Sequence, residues 1–126
     1  MRAEIDLREL SYALRVLHQR LLAATQKDFE KLHGRVPSAG ALLQLAVNDP
    51  LFAWLRPLSQ QMAALDELLA SGDADADAIA AVRSDVLALL EVPGDFHSTY
   101  LVHLQANPDV VMAHAEVRGV LRAGIG

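Results

Sequence analysis

Leu7-Arg8-Glu9-Leu10-Ser11-Tyr12-Ala13-Leu14-Arg15-Val16-Leu17-His18-Gln19-Arg20-Leu21-Leu22-Ala23-Ala24 sets leucine at positions 7, 10, 14, 17 and 21 and alanine at 24, in alternating steps of three and four. Residues so spaced fall on one stripe of a helix with 3.6 residues per turn. Thr25, Phe29 and Leu32 continue the stripe, and Gly34 and Pro37 end it just beyond Lys31 and His33. The stretch therefore predicts a helix of about eight turns, some 40 Å long, which spans a whole bundle. Glu4 and Arg8 stand four apart at its start in the favourable order for an ion pair.

The rest of the chain repeats the pattern on a smaller scale. Ser38 is placed to cap a short helix through Leu42, Leu43, Leu45, Ala46 and Val47. Asn48-Asp49-Pro50 restarts the chain, because a side-chain oxygen caps a helix and proline fits its first position. Leu51, Leu55, Leu58, Met62, Leu65 and Leu69 then form a seam with steps of 4, 3, 4, 3 and 4. Pro57 lies within this seam, so a continuous helix kinked near Ala53 to Pro57 and ended by Ser71-Gly72 is expected. Asp73, Asp75 and Asp77 precede a helix whose inward face is set by Ile79, Val82, Val86 and Leu89. After Pro93-Gly94 a short helix carries Phe96, Tyr100, Leu101 and Leu104. Asn107-Pro108-Asp109 opens a last one, with Val110, His114, Val117 and Leu121 inward.

Alanine and leucine supply 43 of the 126 residues, aromatics only 5%, and no segment alternates with period two long enough to read as a strand. The expectation is one all-α domain over residues 1–126: an antiparallel four-helix-type bundle with additional short helices, at least about two thirds helical.

Composition also excludes. The longest apolar runs, such as Ala78 to Val82 and Val86 to Leu90, are five residues, far short of the roughly 20 that cross a bilayer. The opening Met1-Arg2-Ala3-Glu4-Ile5-Asp6 lacks the apolar run of a signal peptide, so a cytoplasmic location and no membrane partner are expected. No cysteine is present, which removes disulfides, thiol nucleophiles and thiolate metal sites. A net charge of −5 argues against nucleic acid as a partner. The charge is uneven, +2 over residues 1–35 and −7 over 36–95, as expected of a basic helix beside acidic ones in one domain.

Two stretches, Asn48-Asp49-Pro50-Leu51-Phe52-Ala53-Trp54-Leu55-Arg56-Pro57-Leu58-Ser59 and Asn107-Pro108-Asp109-Val110-Val111-Met112-Ala113-His114-Ala115, resemble an uncharacterised family of small bacterial helical-bundle proteins. The resemblance covers the chain from about Leu17 to Leu121. It implies a helical bundle, and the family has no established activity that would assign catalytic residues here.

The motifs that could carry chemistry are fragmentary. Asp73, Asp75 and Asp77 have the first spacings of a calcium loop, but Ala78 and Ser84 stand where that loop needs glycine and glutamate. Glu30-Lys31-Leu32-His33 supplies one Glu-x-x-His step, where a di-iron bundle needs two. Asp95, His97 and Ser98 are close in sequence, yet neighbours on a helix face different ways and make no triad. No catalytic residue and no cofactor are therefore expected. His97 and His103 lie about 120° apart on one helix, poor geometry for a shared metal, and His114 is expected as a buried, hydrogen-bonded histidine.

Two functions remain. The first is a non-enzymatic interaction or scaffold protein that binds a protein partner or itself. Phe52, Trp54 and Arg56 are of types enriched at hot spots, although Phe52 and Trp54 could instead fill the end of the bundle. Apolar residues exceed what a core can absorb, since 71 of 126 are apolar or glycine. The surplus falls on the first helix at Tyr12, Ala13, Val16 and Leu22, and on the last at Val111, Met112 and Val120, which predicts a homodimer through one of these helices. The alternative is a metal- or small-ligand-binding bundle, with or without catalysis, that uses His97, His103 and His114.

Overall fold

The computed structural model describes residues 5–123, of which 87% are helical, with no strand among them. The chain is all-α. Its long helix, α1 (Leu7–His33), matches the leucine stripe. Asp6 caps it by accepting the backbone N–H groups of Arg8 and Glu9 at 2.9 and 3.2 Å. Gly34 ends it at φ +85°, a left-handed conformation that disfavours any residue with a Cβ. Leu7, Leu10, Leu14, Leu17, Leu21 and Ala24 are all buried, but Leu32 is exposed because the stripe has run past the bundle. Glu4 lies outside the described residues.

The remaining helices are α2 (Ala39–Asn48), a 3-10 helix (Pro50–Leu55), α3 (Arg56–Ser71), α4 (Ala76–Glu91), α5 (Asp95–Ala106) and α6 (Pro108–Ala123). They pack as a ring in which α1 meets α3, α3 meets α4, α4 meets α5, α5 meets α6, and α6 returns to α1. Five helices thus surround the core where four were expected, since α5 buries Phe96 and Tyr100 as a full wall member. The 3-10 helix packs against α1, α2, α3 and α5. The basic first helix is joined to the acidic segment through Asp66 of α3, which accepts from Ser11 Oγ at 3.1 Å and lies 3.5 Å from Arg15.

The proline-containing seam differs from the sequence reading. No continuous kinked helix runs from Leu51 to Leu69. The chain makes a 3-10 helix, and Pro57 is the second residue of α3. A proline in the first turn loses no hydrogen bond, because that N–H has no partner inside the helix. Leu55, Leu58 and Leu65 are buried in register all the same. Pro57→Ala is therefore expected to leave the helical content unchanged and to cost only about 0.4–1 kcal/mol, mostly through a freer unfolded chain. Chemical denaturation checks it, and a loss above 2 kcal/mol would contradict this placement.

α6 also corrects a detail. Its buried positions are Val110, Ala113, Val117 and Leu121, and His114 stands half-buried beside them. In α4 the buried positions are Val82, Val86 and Leu90, with Ile79 and Leu89 at the margin. Asp75 caps α4 by accepting the Ala78 N–H at 2.8 Å, the helix-end role that competes with any calcium loop.

Candidate functional site

Phe52 and Trp54 lie two residues apart on the 3-10 helix. At three residues per turn they point in different directions. Phe52 turns inward and is 1% exposed, its ring 5.9 Å from that of Phe29. Trp54 is half-buried, and its indole Nε1–H donates to Thr25 Oγ1 at 3.2 Å. The Thr25 hydroxyl in turn donates to the Leu21 carbonyl at 2.8 Å, so this buried threonine is satisfied on both sides. Arg56 remains on the surface and donates from Nη2 to the Val47 carbonyl at 3.3 Å.

Trp54 also starts a line of rings through the molecule. His103 stacks on its face at 5.1 Å with the planes 7° apart, and Phe96 lies at 5.3 Å. Phe96 stacks on Tyr100 at 5.5 Å, and Tyr100 meets His114 at 5.7 Å. The Tyr100 hydroxyl is 2.7 Å from His114 Nδ1, so with its proton on Nε2 the imidazole accepts from the phenol. Burial pushes the Tyr100 phenol well above its ordinary range. Burial also lowers His103 and His114, partly opposed at His103 by the charge of Asp28. A hydrogen bond at His114 is expected from the sequence, but its partner, the buried Tyr100, and the bond between Trp54 and the buried Thr25 are not legible there. Thr25 lay on the leucine stripe, which was the one available sign that its hydroxyl would need a partner.

The three histidines weighed as metal ligands are not gathered. His103 faces Trp54, His114 faces Tyr100, and among the described residues no group of three His, Cys, Asp or Glu side chains could hold a metal ion. His97 lines a separate cleft beside Asp95 and Gln60. Glu30, half of the lone Glu-x-x-His step, accepts the Val36 backbone N–H at 2.8 Å, and His33 packs on Phe29 with centroids 4.6 Å apart.

One nucleophile and base do meet. His18 Nε2 on α1 lies 3.1 Å from Ser59 Oγ on α3, and burial lowers His18. Among the described residues no carboxylate orients the other ring nitrogen, so the pair lacks the third member that gives such a dyad its tautomer and direction.

Three histidines held below their ordinary range make stability pH-dependent. The folded state binds fewer protons than the unfolded chain near pH 6.5, so stability is complete above that value and falls as the pH drops through it toward the folded pKa values. Denaturation midpoints are expected to be flat from about pH 7 to 8 and to decline below about pH 6. A midpoint that rises on acidification over that range would overturn the assignment.

No protein-family model, curated protein or solved structure matches this chain. Among the described residues no helix is long and apolar enough to cross a membrane.

The apolar surplus resolves into two parts. Ala13 is buried, and Val16, Leu22 and Val120 pack against the core from its edge. Tyr12 stays 72% exposed and Met112 70%, with Val111 also on the surface. α1 and α6 run antiparallel, so that Tyr12, Ala13 and Val16 face Glu116 and Val120 across a groove of about 610 Å3, with Arg8 and Glu9 at one end. Met112 lies one turn from Glu116 on the same helix face.

Proposed function

We propose that this chain is a non-enzymatic helical interaction protein that pairs with a second copy of itself through the face shared by α1 and α6. The observation that carries this reading is Tyr12, left in water on an apolar groove between the two helices that pack most extensively on each other, with Met112 also exposed one turn along α6 from Glu116. Contiguous apolar surface rimmed by charge marks an association site. The charges suit self-pairing. With a two-fold axis parallel to the helices, α1 of one copy lies over α6 of the other, and Arg8 and the Tyr12 hydroxyl meet Glu116 across the interface. The resemblance to small bacterial helical-bundle proteins belongs to the same proposal and adds no activity to it.

Light scattering coupled to size exclusion is expected to give twice the 13.7 kDa chain mass at micromolar concentration. Tyr12→Lys with Met112→Lys should weaken the dimer at least about 100-fold, as two truncated or charged anchors would. Helical content should not change, because both residues are already exposed. A monomer across the whole concentration series overturns the reading.

A further inference from the structure

α2 is attached at its ends. None of its ten residues is buried, and no charged side chain occurs from Val36 to Asn48. At the near end Val36 is buried and its N–H is held by Glu30. At the far end Arg56 holds the Val47 carbonyl. The helix is closed on itself as well. Ser38 Oγ accepts the Ala41 N–H at 3.1 Å, the Asn48 amide donates to Gln44 Oε1 at 3.2 Å, and the Asp49 N–H donates to the Leu45 carbonyl at 2.8 Å. Local bonds and two end anchors thus add to its packing on the 3-10 helix, against which Ala41, Leu42, Leu45 and Ala46 are half-buried.

Between the anchors lies a cleft of about 640 Å3, walled by Phe29, Val36, Pro37, Ala41, Leu45 and Pro50. The rest of the lining is His33, Gly34, Arg35, Gln44, Asn48 and Asp49, so the cleft is amphipathic and open to solvent on one side. Its charged lining residues are Arg35 and Asp49, one of each sign. The Asp49 carboxylate is engaged by the Leu51 N–H at 2.9 Å, whereas no ion pair with another described residue engages Arg35, which is exposed beside the cleft. His33 also lines it, with its ring packed on Phe29.

We infer that the cleft beneath α2 binds an amphipathic carboxylic acid of medium chain length, with the hydrocarbon against the Phe29, Ala41 and Leu45 wall and the carboxylate on Arg35. The apolar wall supplies the affinity, and the guanidinium selects an acid over the matching alcohol.

The test uses the full chain and decanoate, kept below its micelle concentration, by calorimetry and by displacement of a dansyl-labelled undecanoic acid. Saturable one-to-one binding is expected. Decanol should bind at least about tenfold more weakly, and Arg35→Glu should lower decanoate affinity by about tenfold or more, the effect of losing one charge-assisted contact. Ala41→Trp should fill the cleft and abolish binding. Tyr12→Lys, on the opposite surface feature, should bind decanoate like the unmodified chain, which separates this site from the dimer face. Arg35→Glu alters only an exposed residue, so it keeps the test sound even if Ala41→Trp disturbs folding. No saturable binding, equal affinity for decanol, or affinity indifferent to Arg35→Glu would each overturn the inference.

Discussion

Phe52→Ala is expected to cost about 3–5 kcal/mol of stability, the usual range for emptying a buried phenylalanine site. That corresponds to roughly 10 °C or more in melting temperature for a domain of this size. The ring is 1% exposed and packs on Phe29, so its removal leaves a cavity beneath the 3-10 helix. The proposed self-association should be unaffected, because Phe52 reaches no surface. Were Phe52 an anchor for a partner, alanine would instead weaken association at unchanged stability. Thermal melts and light scattering on the same variant, at one fixed concentration, separate the two outcomes.

Tyr100→Ala should have an effect of the same order, about 3–5 kcal/mol, because Tyr100 is fully buried and stacks on Phe96. Tyr100→Phe isolates the hydroxyl. It keeps the ring and removes only the bond to His114 Nδ1, so about 1–2 kcal/mol is expected. An equal loss for the two variants would mean that the hydrogen bond, and not the ring, holds α5 against α6. Urea denaturation at pH 7.5, where His114 is neutral, gives the clean comparison.

The long first helix, the cap at Ser38, the acidic start of α4, the turn at Asn107-Pro108 and the all-α class are readable from residue spacing, because each depends on neighbours within one or two turns. The failures all involve distant partners. Leucine spacing runs unbroken across Pro57, and periodicity alone does not tell a kinked helix from a 3-10 helix that hands over to an α-helix in its first turn. Leu32 fits the stripe, yet the position where the bundle ends is set by other helices. Likewise Val110 and Leu121 are compatible with either Ala113 or His114 as the inward residue between them, and the wall formed by Tyr100 decides the matter.

The candidate surfaces were legible to a lesser degree. Val111, Met112 and Tyr12 stood out as surplus, and they remain on the surface. Phe52, Trp54 and Arg56 were grouped by sequence, but the 3-10 helix sends them three ways: into Phe29, onto His103, and out to the Val47 carbonyl. The cleft under α2 had no sequence signature. An apolar helix announces burial, whereas this one is only half-buried on the 3-10 helix and is tied at its ends through Glu30 and Arg56.

The closure of the ring by α1 and α6 bears on how the chain is made. The first of the described helices finds its most extensive neighbour in the last of them. During synthesis the leucines at 10, 14, 17 and 21 must wait for residues 108–123 before they are fully covered. Folding is therefore committed late and through contacts of large sequence separation, which slows it relative to bundles built only from adjacent hairpins. A nascent chain stalled after α5 would present that leucine stripe to chaperones, and release of α6 would be the step that withdraws it.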